Sequence, residues 1–166
     1  MPDAATPKRD VDLFVAVAIG GVIGASARWG LSEVIVTPRD QWPLATFIIN
    51  LTGAFILGLV IEFATGYAPD PGASTFARRL RPFVVTGILG GYTTFSTYMV
   101  EAHGLVLEGR SALAGLYIFG SMIAGVLCVM IGMGLGKALF RGSRVPKGRP
   151  DTPAEEAEIE VTEDEG

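Results

Sequence analysis

Nine consecutive residues combine glycines, hydroxyl groups and aromatic rings in a pattern suited to ion binding. They read Gly90-Gly91-Tyr92-Thr93-Thr94-Phe95-Ser96-Thr97-Tyr98 and lie inside an otherwise apolar run over 83–107. Glycine lowers helix stability, and serine and threonine offer the backbone competing hydrogen bonds. A backbone interrupted at membrane depth persists only where it is buried in protein or lines a wet cavity, and such interruptions bind ions. The pattern predicts a broken transmembrane helix with an ion site, or else a kink whose small residues serve close helix packing.

Other polar residues also fall within apolar runs. Arg28 either extends to the membrane interface along its own stem or faces a water-filled vestibule that concentrates anions. Asn50, near the middle of the second run, either joins helices or points an N–H donor at an anion. Tyr117 and Ser121 are four residues apart and therefore share one helix face. Glu101 is expected to cap or pair rather than to conduct.

Composition indicates the elements that position these residues. The chain of 166 residues is 49% hydrophobic, has a mean hydropathy of +0.44 and contains 22 glycines, which is the profile of a polytopic membrane protein. The predicted fold is an all-α membrane protein with four transmembrane helices, the third one broken. Runs long enough to cross a bilayer lie at about 13–36, 43–64, 83–107 and 111–135, within a four-span domain over 13–140. Residues 1–12 form a polar N-terminal segment, and 141–166 form a basic, then acidic tail that we predict to be disordered.

Several functional classes are disfavoured by the sequence. One cysteine excludes an intramolecular disulfide, and one histidine leaves no histidine metal cluster. An enzyme is not expected, because no nucleophile–base pair or metal-ligand set is present. Nucleic acid is not an expected partner, since the bases lie at span ends and the tail is acidic. Two alternatives stay open: a small four-span exporter of organic cations that uses Glu101 as its embedded carboxylate, and a non-transporting membrane scaffold.

Basic residues are distributed unequally between the two sides of the predicted membrane. With four spans, both termini and the middle loop share one side. Ten bases fall on that side: Lys8, Arg9, Arg78, Arg79, Arg81, Lys137, Arg141, Arg144, Lys147 and Arg149. Only Arg39 and Arg110 fall on the other side. The positive-inside rule therefore predicts that both termini of this multi-pass cell-membrane protein are cytoplasmic.

Four motifs, in this order along the chain, resemble the CrcB/Fluc family of fluoride channels. They are Gly20-Gly21-x-x-Gly24-x-x-x-Arg28, Thr46-x-x-x-Asn50-x-x-Gly53-x-Phe55-x-x-Gly58, Gly90-Gly91-x-Thr93-Thr94-Phe95-Ser96-Thr97 and Tyr117-x-x-x-Ser121. The resemblance implies a fluoride-selective passive channel, formed over 13–140 by two subunits packed antiparallel in the lipid bilayer. It also implies a structural Na⁺ at the dimer centre, bound by the backbone carbonyls of Gly90 and Thr93.

The resemblance further implies a fluoride pathway. Fluoride is small and strongly hydrated, so a pore must replace its water shell with hydrogen-bond donors. The expected donors are the amide of Asn50 and the hydroxyls of Ser96, Thr97, Tyr117 and Ser121. The family's paired phenylalanines map to Phe95 and Tyr98, whose ring edges carry partial positive charge. The chain departs from the family pattern at three positions: Tyr98 replaces a phenylalanine, Gly125 a serine and Ala45 a glycine.

The charge bias is also a departure from the family pattern. Antiparallel homodimers require each copy to insert in either orientation, which calls for balanced loop charge. The unequal distribution of bases therefore leads to the hypothesis that this chain inserts in one orientation. It would then form a heterodimer with an oppositely oriented paralogue, with a homodimer as the alternative.

Overall fold

The computed structural model describes residues 7–66 and 80–140, and every regular element within these ranges is helical. The helices are α1 (Pro7–Val34), α2 (Leu44–Gly66), α3 (Phe83–Leu89), α4 (Gly90–Tyr92), α5 (Ser96–Leu107) and α6 (Ser111–Phe140). The predicted all-α class is confirmed. The predicted disordered tail over 141–166 lies outside the described residues, as do two bases of the middle loop, Arg78 and Arg79.

Three helices are long and apolar enough to cross a membrane, judged by length and composition within the described ranges. Their apolar segments are Val11–Val34, Leu44–Phe63 and Ser111–Leu139. They correspond to the first, second and fourth predicted spans. Helix α1 begins inside the predicted polar segment, at Pro7, because proline suits the first turn of a helix, where its missing N–H costs nothing. Helix α6 continues to Phe140, beyond the predicted end at 135.

The predicted third span, 83–107, is divided among three short helices. Helix α3 has the wider hydrogen-bonding pattern of a π-helix and continues directly into α4. Helix α4 ends at Tyr92, because Thr93 has an extended backbone with φ −77° and ψ 157°. Helical structure resumes at Ser96. Regular helical structure is therefore absent over 93–95, inside the cluster of hydroxyl residues, and this stretch is called the interruption below.

Glycines bring α1 against α3. A Cβ atom on Gly20 would lie 2.6 Å from the carbonyl oxygen of Phe83, and one on Gly24 would overlap the carbonyl oxygen of Ile88. The two backbones therefore approach too closely for any side chain, as expected for small residues four apart on a membrane helix. This confirms that Gly20 and Gly24 allow another helix to approach, and that helix is the third segment.

Helix α2 packs along α6 in the same manner. A Cβ atom on Gly58 would overlap the carbonyl oxygen of Val129, and one on Gly132 would overlap that of Phe55. Helix α5 packs on α6 through a buried cluster that comprises Tyr98, Ala102, Leu105, Ala114 and Tyr117. Helices α2 and α5 therefore both pack on α6, near the interruption.

Candidate functional site

The side-chain amide of Asn50 binds the backbone of the interruption. Its Nδ2 donates to the carbonyl oxygen of Thr94 at 3.0 Å, and its Oδ1 accepts from the Thr94 N–H at 2.9 Å. An N–H can only donate and a carbonyl can only accept, so this reciprocal pair fixes which end of the amide carries the oxygen. The amide has two N–H groups, and this pair uses one of them. Asn50 therefore has the first of its two predicted roles, which is to join helices. Its second N–H is left for the other predicted role, which is to donate to an anion.

The interruption redirects two backbone N–H groups. In a continuous α-helix, the N–H of Thr94 would donate to the carbonyl of Gly90, and the N–H of Thr97 to the carbonyl of Thr93. Here the Thr94 N–H donates to Asn50, and the Thr97 N–H donates to Thr94 Oγ1 at 3.2 Å. The carbonyls of Gly90 and Thr93 thereby lose their usual helical partners, and carbonyl oxygens of this kind are suitable ligands for a hard cation.

Helix α2 also makes room for the interruption. A Cβ atom on Gly53 would overlap the Cγ2 of Thr93 and lie 3.4 Å from the Cδ1 of Tyr92. One residue before Gly53, the hydroxyl of Thr52 lies 2.9 Å from the hydroxyl of Tyr92. One face of α2 therefore supplies the space and the polar contacts that the end of α4 requires.

A cavity of about 440 Å³ lies between α2, the interruption and α6, and is called the Asn50 cavity below. Six of the predicted site residues line it: Asn50, Gly90, Thr93, Phe95, Tyr98 and Ser121. The structure thus brings together the residues predicted to bind the cation and four of those predicted to bind the anion. They come from three different parts of the chain.

The two aromatic residues of this cavity differ in exposure. Phe95 is 75% exposed, whereas Tyr98 is 7% exposed, and their ring centroids are 6.0 Å apart at an angle of 43°. The hydroxyl of Tyr98 donates to the carbonyl oxygen of Ile118 on α6 at 2.6 Å. The ring of Tyr98 is thereby fixed to α6, while that of Phe95 lies at the surface of the chain.

Ser121 contributes a hydroxyl without a partner to the Asn50 cavity. Its Oγ atom is buried, and within the described part of the chain it makes no hydrogen bond. Buried hydroxyl groups are nearly always hydrogen-bonded, so an exception requires an explanation. A donor held ready for a ligand in the adjoining cavity provides one.

A second cluster joins α2, α5 and α6. The carboxylate of Glu101 accepts hydrogen bonds from the hydroxyls of Thr46 at 2.8 Å and Tyr117 at 3.0 Å. This confirms that Glu101 pairs, and it means that the hydroxyl of Tyr117 is engaged. A cavity of about 740 Å³, called the Glu101 cavity, is lined by Glu101, Thr46 and Thr97 together with residues of the segment that connects α1 to α2.

Side-chain contacts connect the two cavities. The ring centroid of Tyr98 lies 4.9 Å from that of Tyr117, whose hydroxyl binds Glu101. Trp42 packs edge-on against Tyr117, with 5.3 Å between ring centroids, and against Phe47 at 5.2 Å. The predicted site residues therefore lie along two cavities and the contacts between them, rather than in a single pocket.

The remaining predicted residues lie apart from the Asn50 cavity. Ser96 is exposed, with its hydroxyl 3.4 Å from that of Thr94. Thr97 is exposed, accepts a hydrogen bond from Thr94 at 3.0 Å and lines the Glu101 cavity. Arg28 is half-buried on α1 and lines neither of the two cavities.

Thr46 and Glu101 were not predicted to belong to the fluoride pathway, although both help to line the second cavity. The available signal was the position of Glu101, because a carboxylate within an apolar run requires partners. Its three-residue spacing from Tyr98 also places the two side chains on neighbouring positions of one helix face.

Residues 15–133 match the family described as CrcB-like protein, Camphor Resistance (CrcB). A Streptomyces avermitilis protein named fluoride-specific ion channel FluC 3 is 40% identical over 134 residues, which are 80% of this chain and 63% of the relative. The chain thus covers less than two thirds of that relative's length. Proteins named fluoride-specific ion channel FluC include one from Chlorobium chlorochromatii, 36% identical over 72% of this chain and 88% of the relative. Another, from a Hydrogenobaculum species, is 38% identical over 76% of this chain and 98% of the relative.

These comparisons confirm the resemblance deduced from the four motifs. The relatives are named as ion channels, so the family is one of channels and not of enzymes. Together with the long apolar helices, the match identifies a multi-pass membrane protein. The chain belongs to the CrcB family.

Proposed function

We propose that this chain is a passive, fluoride-selective ion channel. The observation that carries the proposal is the buried Ser121 hydroxyl, which makes no hydrogen bond within the described residues and lines the same cavity as Asn50, whose amide has one N–H beyond its bonds to Thr94. A small anion that is a strong hydrogen-bond acceptor satisfies two such donors at once. The names of the relatives indicate that this anion is fluoride.

The proposed path runs from the Asn50 cavity to the Glu101 cavity. In the first, fluoride receives hydrogen bonds from Asn50 and Ser121 and contacts the positive edges of the Phe95 and Tyr98 rings. In the second, Thr97 is the donor. Between the two cavities, fluoride replaces the Glu101 carboxylate as the acceptor of the Tyr117 hydroxyl.

Two further residues would act at the ends of this path. Ser96 is exposed beside the interruption and donates to the anion there. Arg28 raises the local concentration of anions in a vestibule, through its positive charge.

A structural Na⁺ at the interruption is part of the proposal. The carbonyl oxygens of Gly90 and Thr93 fit this cation, because the N–H groups that would bind them in a helix donate to Asn50 and Thr94 instead. Two carbonyls are too few to enclose a cation. A second subunit related by a twofold axis would double the number of ligands, which supports an antiparallel dimer with the ion at its centre.

We also propose that 83–107 crosses the membrane as one discontinuous span. The interruption is compatible with this depth, since Asn50 pairs both backbone groups of Thr94. Four spans then place both termini in the cytoplasm under the positive-inside rule. The excess of bases on that side supports a fixed orientation and a heterodimer with an oppositely oriented paralogue, a homodimer being the alternative.

Such a channel would relieve fluoride stress in the cell. Neutral hydrofluoric acid crosses the bilayer and dissociates in the less acidic cytoplasm, where the anion is trapped. The membrane potential, negative inside, favours exit of an anion by about 2.3 kcal/mol per 100 mV. A passive pathway is therefore sufficient for export.

Fluoride efflux from liposomes reconstituted with the purified chain tests the function, with chloride efflux as the control. Rapid fluoride-selective efflux from the chain alone is the result expected of a channel and contradicts an obligate heterodimer. If the chain is silent both alone and with a co-expressed paralogue, the proposed function is wrong. Replacing Na⁺ with a large organic cation is expected to reduce efflux, since the dimer centre loses its ion.

A further inference from the structure

The Tyr98 hydroxyl occupies an acceptor that Ser121 would otherwise use. A serine within a helix ordinarily donates its hydroxyl to the carbonyl three or four residues earlier, which for Ser121 is that of Ile118 or Tyr117. The carbonyl of Ile118 instead accepts the hydroxyl of Tyr98 at 2.6 Å. A carbonyl oxygen has two lone pairs, and the helical N–H of Met122 is the regular partner of the other. No lone pair of Ile118 is then left for Ser121.

The hydroxyl of Ser121 is correspondingly not held by its own helix. Its side chain lies against the Tyr98 hydroxyl, and within the described residues Ser121 bonds to neither backbone acceptor. On the same face of α6, Tyr117 is engaged by Glu101, and Gly125 carries no hydroxyl at all. Among these three positions of α6, only Ser121 offers the Asn50 cavity a hydroxyl that is bonded to neither a carboxylate nor a backbone carbonyl.

We propose that Tyr98 is a positioning residue for Ser121, because by occupying the Ile118 carbonyl it leaves the serine hydroxyl available to an anion in the Asn50 cavity. This inference rests on the proposed function and deepens it. A phenylalanine at this position has no hydroxyl and could not occupy the Ile118 carbonyl. It also explains how a chain with glycine at position 125 keeps one free donor on this face of α6.

The substitution Tyr98→Phe isolates the hydroxyl, because it preserves the ring and its edge. The released Ile118 carbonyl then accepts the hydroxyl of Ser121, and the anion must compete with that bond. A net hydrogen bond of ordinary strength corresponds to a fall in fluoride efflux of about two- to tenfold. Ser121→Ala is expected to reduce efflux in the native background and to have no further effect when combined with Tyr98→Phe.

This non-additivity is the diagnostic result, since a purely structural role for Tyr98 would give additive losses. Tyr92→Phe is the matched control. It removes a phenolic hydroxyl that contacts Thr52 at 2.9 Å, and because Tyr92 does not line the Asn50 cavity, efflux should be unchanged. If Ser121→Ala reduces efflux equally with and without Tyr98→Phe, the proposed role of Tyr98 is overturned while the channel function stands.

A structural measurement separates this inference from the function itself. In a crystal structure of the Tyr98→Phe variant, Ser121 Oγ should have moved to hydrogen-bonding distance from the carbonyl oxygen of Ile118. If Ser121 stays where it is, the inference is wrong whatever the flux assay gives. If native protein conducts no fluoride but Ser121 does move, the function is wrong and the hydrogen-bond competition is right.

Discussion

Replacing Asn50 with alanine should lower the stability of the fold as well as fluoride efflux. Stability should fall because the one amide satisfies both backbone groups of Thr94. The change removes two hydrogen bonds, at 3.0 and 2.9 Å. Polar contacts between membrane helices are each worth about 0.6 kcal/mol on average and about 1.7 kcal/mol at most, so the pair contributes about 1–3 kcal/mol. Thr94 is only 8% exposed, which hinders water from replacing the amide and favours the upper half of that range.

The assay is reversible unfolding in mixed detergent micelles, combined with fluoride efflux from liposomes. Thr52→Val is the matched control, two residues further along α2. Its hydroxyl is exposed, donates to the Ile48 carbonyl of its own helix at 2.8 Å and lies 2.9 Å from the Tyr92 hydroxyl, so its loss removes at most one contact between segments and should cost less than about 1 kcal/mol. Asn50→Asp, as a carboxylate, keeps the acceptor for the Thr94 N–H and loses the donor. It should lose about half as much stability as Asn50→Ala and abolish efflux by repelling the anion.

The refuting result is specific. If Asn50→Ala unfolds at the same detergent composition as Thr52→Val and loses only fluoride efflux, the amide serves the anion alone. The interruption would then be maintained by the local sequence, and the account of its stabilisation by α2 would be wrong.

Three other perturbations test separate features of the structure. Gly24→Leu should prevent α1 from packing on α3 and destabilise the protein by more than about 2 kcal/mol in the same unfolding assay. Gly30→Leu is the control, because Gly30 is on the same helix with open space around it, and its effect on stability should be near zero. Glu101→Ala leaves the hydroxyls of Thr46 and Tyr117 without an acceptor and should lower the free energy of unfolding by about 1–3 kcal/mol. Glu101→Gln keeps one carbonyl oxygen and should recover part of that loss. Equal stability of the two variants would contradict the pairing. Removing Na⁺ from the purified protein should lower its melting temperature, and no shift across a wide range of Na⁺ concentration would exclude the proposed structural ion.

Much of the architecture could be predicted because hydropathy alone determines it. Three of the four predicted apolar runs correspond to α1, α2 and α6, and the glycines of the first run do pack against a neighbouring helix. The interruption lies within the cluster of glycine and hydroxyl residues, which weaken a helix where they occur, whereas a broken transmembrane span at this place stays a prediction. Helix ends were predicted less well, because hydropathy marks the membrane boundary and not the last helical turn.

The pairing of polar groups could not be predicted from the sequence. Phe95 and Tyr98 are three residues apart and were expected to act as a pair, yet one is exposed and the other buried, because Phe95 belongs to the interruption and Tyr98 to α5. The bond between Glu101 and Thr46 joins residues 55 positions apart. Such contacts depend on how α2, α5 and α6 pack, and no local pattern encodes that arrangement.

The reciprocal bond between Asn50 and Thr94 has a consequence for how the protein is made. The two residues are 44 positions apart, and Asn50 is synthesised first. With the proposed four spans, α2 has already passed through the translocon when residues 83–107 reach it, and α2 can offer its amide to the incoming backbone. A segment whose own polar groups hinder its partition into lipid thereby acquires its hydrogen-bond partner from an earlier helix. Membrane integration of residues 83–107 should therefore depend on α2, and the order of the helices along the gene is part of what allows the interruption to form.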